Sequence, residues 1–406
     1  MPPPATALQL DWNQVAAWRQ RRHHLDGRAP RGDMLAVVSR IAGLHAQVMS
    51  SAELTLWARV ADLEPGALGD ALWRDRTVVE TWAMRGTLHV LPAAELPLWQ
   101  AGQSTRRAYE RAAWQRGFGV TLEQLEELLV AVSKALEGRT LSREALADEV
   151  VRITGSAELG AKLRSGWGSL LKPAAYRGYL CFAPGDGQRV RFTRPDTWLA
   201  GWRDQDPDAA VLETARRFVA AGGPVTREDY ARWWGSKPAE GGRVLERLGD
   251  EIVPVEVEGT GARVLAEHAG EIAEATLAPS VRLLAAFDQY VVMATRHAER
   301  LMPGPFKDRV YRPQGWLSPV VLVDGRIAGV WRQEARGRRL LVTVEPFANL
   351  APRAPRAARG VADEAERLAA WSGRDLQLAW AQGARSTPNP QKTARTVSDL
   401  VIEQRG

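Results

Sequence analysis

Apolar positions in the middle of the chain follow helical spacing and then strand alternation. Leucines at helical spacing in "TLEQLEELLVAVSKALEG" predict a helix that Thr121 caps and Gly138 ends. A second, short helix follows in "TLSREALADEVV", and "AELGAKLRSGWGSLLKPAAYRG" predicts a third helix that is broken near Pro173. The stretch "YLCFAPGDGQRVRFTRP" then predicts two strands around a Gly-Asp-Gly turn. Three helices followed by a hairpin are typical of a winged helix.

The same order of elements recurs on both sides of this segment. Residues 207–266 again predict three helices and a hairpin, this time with a Gly-Thr-Gly turn. Near the N-terminus, "WNQVAAWRQRRHHL", "DMLAVVSRIAGLHAQV" and "SSAELTLWARV" predict helices, and "VVETWAMRGTLHVLP" predicts two strands bent at Arg85-Gly86. We therefore predict three winged-helix-like units in tandem, at residues 1–120, 121–200 and 201–275.

The remaining residues, 276–406, show a different pattern, which predicts a β-rich C-terminal domain. A β-meander is predicted in "PVVLVDGRIAGVWRQEARGRRLLVTVEPF", with a hairpin turn at Asp324-Gly325. The helix "GVADEAERLAAWSG" and the strand "DLQLAW" follow, after a basic stretch, "LAPRAPRAARG", that we interpret as a solvated connector. The polar end of the chain, residues 384–406, predicts no clear element. The expected fold class is α+β.

The overall charge of the chain is basic. Lysine and arginine number 54 against 48 acidic residues, which gives a net charge of +6 and a pI of about 9.7. This balance suits a nucleic-acid partner. Nearly all the basic residues are arginine, however, as a GC-rich genome also produces. Charge alone therefore leaves nucleic-acid binding open.

Several classes of protein are disfavoured by the sequence. A single cysteine, Cys181, rules out an intramolecular disulfide and a multi-cysteine metal site. The N-terminus "MPPPATALQLDW" lacks the features of a signal peptide, and no apolar run is long enough to cross a membrane. Phosphate-binding loops, a nucleophile elbow and an H-E-x-x-H motif are missing from the sequence. We expect a cytoplasmic protein with no membrane contact, metal or organic cofactor.

One apolar stretch, Arg40 to Val60, holds two polar side chains one residue apart, His45 and Gln47. Together with "TWAMRGTLHVLPA", "FDQYVVMATRHAERL" and "VYRPQGWLSPVVLVDGRIAGVW", in this order, the stretch resembles a known family. This is the winged-helix DNA glycosylase family, which includes azinomycin-resistance glycosylases and bacterial alkylpurine and crosslink-unhooking glycosylases. The resemblance extends over residues 10–380.

The resemblance implies a fold, a reaction and a catalytic motif. It implies tandem winged helices around a positively charged concave channel for DNA, and hydrolysis of the N-glycosidic bond of alkylated purines without a cofactor. The family motif is glutamine, an aliphatic or small residue, and then glutamine or aspartate. His45, Ala46 and Gln47 occupy these positions, so histidine replaces the first glutamine. This departure resembles the self-resistance variants more than the crosslink-unhooking branch, whose motif ends in aspartate.

The chemistry of these two residue types agrees with such a reaction. A guanine alkylated at N7 is cationic and leaves readily, so the enzyme needs a held water and stabilisation of an oxocarbenium-like transition state. An amide can orient water, and a neutral imidazole can orient or deprotonate it. We hypothesise that Gln47 positions the water and that His45 positions or deprotonates it. The structural alternative is a core or capping histidine and a polar residue before a serine-capped helix.

Further candidate DNA contacts each have a structural alternative. Two serines can contact phosphate or cap the following helix, and three hairpin residues can contact DNA or form the turn. Asp288 can stabilise positive charge on the sugar, cap a helix or pair with Arg296. The remaining candidates can contact DNA or lie on solvated faces. The candidates are Ser50, Ser51, Arg85, Thr87, His89, Asp288, Arg296, Arg309, Arg312 and Gln314.

The function that we predict is that of a monofunctional DNA glycosylase for N7-alkylguanine adducts in double-stranded DNA. Bulky genotoxin lesions are the expected substrates, in base excision repair or antibiotic self-resistance, and we expect a monomer. The alternative is a non-catalytic winged-helix transcription regulator. Such a regulator usually dimerises to match a palindromic operator, and no dimerisation heptad is evident. A metal-free nucleoside hydrolase is a third possibility.

Overall fold

A computed structural model describes residues 7–165, 168–187, 189–347 and 354–381. Up to residue 118 it contains four strands and six helices. In chain order these are β1 (Leu8–Leu10), α1 (Trp12–Arg22), α2 (Met34–Arg40), β2 (Leu44–His45), α3 (Met49–Trp57), α4 (Ala67–Trp73), β3 (Val78–Trp82), β4 (Leu88–Pro92), α5 (Leu96–Ser104) and α6 (Ala112–Phe118).

The second and third predicted units follow, and each ends in the expected hairpin. The second contains α7 (Leu122–Ala135), β5 (Leu141–Ser142), α8 (Arg143–Thr154), α9 (Ala157–Ser165), α10 (Lys172–Tyr176), β6 (Cys181–Asp186), β7 (Arg189–Thr193) and α11 (Pro195–Trp198). The third contains α12 (Pro207–Gly222), α13 (Arg227–Trp234), α14 (Pro238–Glu246), β8 (Ile252–Val257), β9 (Thr260–Leu265) and α15 (Ala269–Ala273).

The C-terminal segment contains the predicted meander, one long helix and a final strand. Its elements are β10 (Val281–Leu284), α16 (Gln289–Met293), α17 (Ala298–Leu301), α18 (Lys307–Val310), β11 (Val320–Val323), β12 (Arg326–Arg336), β13 (Arg339–Pro346), α19 (Pro355–Trp371) and β14 (Asp375–Trp380). The mixture of helices and sheets confirms the α+β class.

The strands of the described residues form four sheets. Three small sheets have the orders β2-β4-β3, β5-β7-β6 and β1-β8-β9, and each combines a hairpin with one short additional strand. The fourth sheet has five strands in the order β10-β11-β12-β13-β14. Strand β1 lies in the first predicted unit but pairs in parallel with β8 of the third, with Leu8 opposite Val255. The start of the chain therefore completes the third small sheet, while the domain boundaries themselves stay a prediction.

Local capping explains why several helices begin where the sequence predicts. Thr121 and Gln124 form a capping box at the start of α7, and the Ser142 side chain accepts from the Ala145 amide at the start of α8. Both caps satisfy amides that have no partner within the helix. The leucines of α7 then face the interior, where Leu125 and Leu128 are fully buried.

The predicted helix over "DMLAVVSRIAGLHAQV" is wrong in its second half. Helix α2 ends at Arg40, because Ala42 and Gly43 adopt positive φ angles of 58° and 91°. A Cβ on Gly43 would lie 2.6 Å from Leu91 Cδ2, so only glycine allows this close approach to β4. The chain turns there, and His45 lies on strand β2 instead of a helix.

Three smaller expectations also need correction. Helix α3 begins at Met49 with Val48 in the N-cap position, so neither serine caps it. The third helix of the second unit ends at Ser165, while Pro173 lies in the first turn of the separate helix α10. Proline is tolerated there because its missing N–H would have no helical partner anyway. The basic connector becomes helical from Pro355, and its residues 350–353, like the polar end at 384–406, lie outside the described residues.

No helix in the described part of the chain combines the length and the apolar character needed to cross a membrane.

Candidate active site

His45 lies on β2, the edge strand of the first small sheet, and is buried against other aromatic rings. It is directly opposite His89 in the β2–β4 pairing, and the two ring centroids are 5.2 Å apart. On its other side the imidazole stacks on Phe287, with centroids 4.7 Å apart and planes 6° from parallel. His45 is only 5 % exposed. The ring is therefore held in one orientation by contacts on both faces.

The stack continues from Phe287 to a turn near the C-terminal sheet. Trp316 meets the Phe287 ring edge-on, with centroids 4.9 Å apart. Trp316 follows the exposed turn Pro313–Gly315, in which Gln314 has a positive φ of 61°. His45, His89, Phe287 and Trp316 come from the four segments that carry the family resemblance. The fold thus brings those four segments together around one imidazole.

The hydrogen bond of the His45 ring defines its tautomer. The backbone amide of Gln47 donates to Nδ1 of His45 over 3.4 Å. A nitrogen that accepts carries no proton, so the neutral ring carries its proton on Nε2. Nε2 has no hydrogen-bond partner within the described residues. It is not fully buried either. Nε2 of His45 is therefore a donor without a protein partner among the described residues.

Gln47 lies two residues after His45 in the chain. Gln47 is partly exposed, and its side-chain amide, unlike its backbone amide, makes no hydrogen bond within the described residues. A carboxamide offers both an acceptor oxygen and two donor hydrogens. The site therefore presents one imidazole donor and one uncommitted amide, a pair suited to orienting a polar molecule.

Burial keeps both histidines of this sheet neutral. Burial, followed by the charges of His89 and Arg85, holds the pKa of the His45 imidazole well below its usual value of 6.5. Burial and the Arg85 charge lower the pKa of His89 to about 3. Nδ1 of His89 lies 3.0 Å from the Thr87 carbonyl, to which it donates. Since imidazolium is disfavoured at both positions, neither ring is a charged DNA contact near neutral pH.

A buried ion pair fixes the segment that carries Phe287. Asp288 accepts two hydrogen bonds of 2.7 Å from Arg59, and both side chains have no exposed surface. Asp288 also accepts from the Tyr290 amide at the start of α16. Gln289 donates over 2.9 Å to the carbonyl of Gly43, just before β2. These bonds hold the Phe287 ring against the strand of His45.

Two of the expected DNA contacts are corrected by this geometry. Asp288 pairs with Arg59 and not with Arg296, and its carboxylate is fully enclosed. His89 is likewise fully buried behind His45. Neither side chain has surface that DNA could touch, because each is committed to contacts inside the fold. In the sequence both residues stand next to apolar residues. That position does not distinguish a polar side chain in a functional site from one buried in the core.

Four other candidates lie on the first unit. Ser50 is exposed, whereas Ser51 is buried and its carbonyl accepts from the Thr55 hydroxyl. Arg85 is partly exposed and donates to the Trp233 carbonyl over 3.0 Å, and the Thr87 hydroxyl donates to the Met84 carbonyl. Contact of Ser50, Arg85 and Thr87 with DNA stays a prediction.

The remaining candidates are exposed and differ in their partners. Arg296 lies 3.5 Å from an Asp229 carboxylate oxygen, and Arg309 pairs with Glu345. Arg312 and Gln314 are exposed on the turn that precedes Trp316. Arg312 makes no ion pair within the described residues. These two residues are therefore the exposed candidates that the fold places next to the ring stack.

The stack partner Phe287, the turn residue Trp316 and the buried Arg59 were missed in the sequence. Each lies far from His45 along the chain, and aromatic or arginine residues in apolar surroundings usually indicate only packing. The positive φ of Phe287, 58°, has no signature in "AAFDQY". Within the described residues, no three histidine, cysteine, aspartate or glutamate side chains are placed to hold a metal ion.

Comparison with known proteins gives a consistent result. The family model described as DNA glycosylase AlkZ-like matches residues 38–371. An interstrand DNA cross-link repair glycosylase of Streptomyces sahachiroi is 35% identical over 371 residues, which cover 90% of this chain and 98% of that protein. The solved structure of the Streptomyces sahachiroi DNA glycosylase AlkZ has a TM-score of 0.84 and 34% identity, and covers 92% of this chain and 100% of that one. These matches confirm the resemblance and the fold class, and the chain belongs to the AlkZ-like family of DNA glycosylases.

Proposed function

We propose that this DNA glycosylase hydrolyses the N-glycosidic bond of N7-alkylated guanine in double-stranded DNA and acts as a monomer. The observation that carries the proposal is the His45 ring, which stacks on Phe287 and accepts at Nδ1 from the Gln47 backbone amide, so that Nε2 is left as its donor. Both lie in the segment that matches the family's catalytic motif. An N7-alkylguanine is the substrate that needs the least help from such a pair, because it is already cationic.

The reaction that this pair supports needs one water and no strong base. Nε2 of His45 donates to the water oxygen, and the Gln47 carbonyl oxygen accepts one of its hydrogens. A lone pair of the water then attacks C1′ of the deoxyribose while the bond from C1′ to N9 breaks. The electron pair of that bond neutralises the cationic purine, and the proton of the water passes to solvent.

The tautomer and the pKa of His45 favour positioning over deprotonation. A ring with its pKa well below 6.5 is a weak base, and its open nitrogen already carries a proton. General-base catalysis works best when the pKa of the base is near the working pH. Of the two roles open to His45 in the sequence, we therefore propose positioning of the water.

The substrate range that we propose includes bulky adducts and interstrand crosslinks. The Streptomyces sahachiroi relative is named for repair of interstrand crosslinks. A bulky or crosslinked base does not enter a closed pocket easily, so an enzyme for such lesions needs an open site. A role in self-resistance to a DNA-alkylating antibiotic is part of this proposal, as is location with the chromosome in the cytoplasm. The non-catalytic regulator is set aside, since the family is one of glycosylases.

Single-turnover base release tests the proposal. A duplex with one N7-methylguanine is incubated with each variant, and alkali then cleaves the strand at abasic sites. We expect His45→Ala and Gln47→Ala to lower the rate by about 100-fold or more, the usual contribution of a positioned polar group. The matched controls are His24→Ala and Gln9→Ala, which change the same residue types away from the ring stack.

Two results would contradict the proposal. Folded His45→Ala and Gln47→Ala enzymes with near wild-type rates would remove the pair from the mechanism. A wild-type enzyme that leaves N7-methylguanine and larger N7 adducts in place would exclude the proposed substrate class. Circular dichroism and thermal unfolding of every variant establish that the fold is intact.

A further inference from the structure

Three cationic side chains near the His45 site have no carboxylate partner among the described residues. They are Arg85 at the bend between β3 and β4, Arg106 just after α5, and Lys172 at the start of α10. Most arginines that have a partner within the described residues are paired with a carboxylate. None of these three side chains forms such an ion pair there. The charged neighbours of Arg85 are Arg106 and Arg232, and the charged neighbour of Lys172 is Arg106.

These three cations line one open cleft of ≈ 190 Å³. Gly86 brings the backbone to the edge of the cleft, since a Cβ there would lie 2.7 Å from the Tyr176 hydroxyl and 3.6 Å from Lys172 Nζ. The Arg106 guanidinium lies 5.4 Å from the centre of the Tyr176 ring. Aromatic rings from α6 complete the wall, Trp114 and Phe118. The lining of the cleft therefore combines cationic and aromatic side chains.

Such a cluster is unfavourable unless an anion joins it. Like charges repel one another more strongly beside apolar rings than in bulk water. Burial and the two arginine neighbours lower the pKa of Arg85 to about 10, and burial and Arg106 lower the pKa of Lys172. An anionic ligand would relieve both effects, since it supplies the missing opposite charge. The donors match phosphate, which arginine and lysine bind through charge-assisted hydrogen bonds.

The cleft is adjacent to the His45 site. The Arg85 charge acts on both His45 and His89. Arg85 and Arg106 are close together, because a Cβ on Gly235 would lie 3.3 Å from Arg85 Cα and 2.6 Å from Arg106 Nη2. A phosphate in the cleft would thus be near the sugar whose bond is broken. Lys172 belongs to the second unit and Arg106 to the first, so one anion would connect both.

We infer that this cleft binds one backbone phosphate of the damaged DNA strand, with Lys172 and Arg106 donating to its oxygens. The inference rests on the proposed function in taking DNA as the substrate and His45 and Gln47 as the water site. Its role is to fix the strand so that the deoxyribose meets the water held at His45 and Gln47. A free phosphate ion has the same chemistry, and the experiment below separates the two sources.

A scan with methylphosphonates tests the inference. Duplexes that carry one neutral methylphosphonate at each position around the lesion site are bound to wild-type enzyme, Lys172→Gln and Arg106→Gln. Lys134→Gln is the matched control, because Lys134 is an exposed lysine at the end of α7. We expect Lys172→Gln to weaken binding of the all-phosphate duplex about tenfold and to reduce the salt slope of binding by about 0.9.

One position of the scan should identify the phosphate. There the methylphosphonate should weaken binding to wild type and to Lys134→Gln, but should have no further effect on Lys172→Gln. Equal effects on all variants at every position would overturn the inference. A second outcome would also overturn it. Inorganic phosphate would raise the Tm of wild type but not that of Lys172→Gln, while no scan position distinguished the two proteins.

The outcomes for the cleft and for the glycosylase proposal are independent. Binding is measured with undamaged duplexes as well, which need no base release. A positive scan without release of N7-methylguanine would retain the phosphate site and reject the proposed reaction. Base release without any scan position that distinguishes the variants would retain the proposed reaction and reject the phosphate site.

Discussion

At the scale of single residues, the chain has His45 where the resemblance places a family glutamine, and the two side chains share one kind of donor. With Nδ1 occupied by the Gln47 amide, the imidazole offers one N–H, and a glutamine amide offers the same kind of donor. The ring adds a flat face that stacks on Phe287. The difference between the two residue types is then one of rigidity more than of acid–base capacity.

We therefore expect His45→Gln to remain active. Because the amide can replace the N–H donor, its single-turnover rate of base release should stay within about tenfold of wild type, whereas His45→Ala loses about 100-fold or more. The rates are measured on the N7-methylguanine duplex at neutral pH. A His45→Gln enzyme as slow as His45→Ala would mean that the imidazole has a role no amide can fill, such as accepting a proton.

The buried His89 leads to a second prediction at this scale, which concerns how the free energy of unfolding depends on pH. Its pKa is about 3 in the folded protein and 6.5 when exposed, so the unfolded state binds more protons between these values. Stability is fully present above pH 6.5 and is lost as pH falls toward 3. The slope is up to about 1.4 kcal/mol per pH unit.

Denaturant unfolding of wild type and His89→Asn between pH 7 and pH 4.5 measures this contribution. The asparagine can still donate to the Thr87 carbonyl but has no proton to bind. The wild-type free energy of unfolding should fall more steeply with acid than that of the variant. Parallel curves would show that His89 is not a buried neutral group. Other buried histidines cancel, since both proteins contain them.

At the scale of elements, the active-site strand exists because a helix ends early. Apolar periodicity continues from α2 through His45, so the pattern alone extends the helix. The positive φ angles of Ala42 and Gly43 interrupt it, and β4 then supplies the pairing partner for β2. Two residues of strand are enough to aim His45 at Phe287. Loss of the turn would therefore misplace the imidazole without removing it.

Gly43→Ala tests that dependence. The substitution adds a Cβ at 2.6 Å from Leu91 Cδ2 and strains a φ of 91°, so we expect a loss of about 1–3 kcal/mol in unfolding free energy and slower base release. Gly27→Ala is the control, because its Cβ would have no neighbour within 4 Å. Equal stability of the two variants would show that the turn tolerates a side chain.

At the scale of the whole molecule, the site is assembled from both ends of the chain. Arg59 follows α3 of the first unit, and Asp288 begins α16 beside the five-stranded sheet. Their ion pair has no solvent contact, so removal of one partner leaves an unpaired buried charge. The pair joins segments 229 residues apart and determines where Phe287 lies relative to His45.

Asp288→Ala should consequently reduce the unfolding free energy by about 3–5 kcal/mol, measured in urea. The double variant Arg59→Met, Asp288→Leu should regain part of this loss, because it removes both charges. A surface pair supplies the control: Glu149→Ala, opposite Arg152, should lower the unfolding free energy far less than Asp288→Ala does. An equally small effect of Asp288→Ala would mean that the buried pair is solvated in solution.

Sequence prediction succeeded where local rules act alone. Thr121 and Ser142 cap the helices that they were expected to cap, and the hairpins of the second and third units lie where alternation and turns predict them. It failed at His45, whose strand depends on a distant partner. It also left open whether His89 and Asp288 contact DNA or serve the fold, since no local pattern distinguishes a buried polar group from an exposed one.

The sequence by itself determined the α+β class, the order of helices and hairpins, and the family. These properties depend on caps, turns and spacing, which act over a few residues. Only the tertiary structure decided that His45 stacks on Phe287, that Arg59 encloses Asp288, and that Arg85, Arg106 and Lys172 share one cleft. Contacts between distant segments arise from the packing of whole elements, and no short stretch of the chain encodes them.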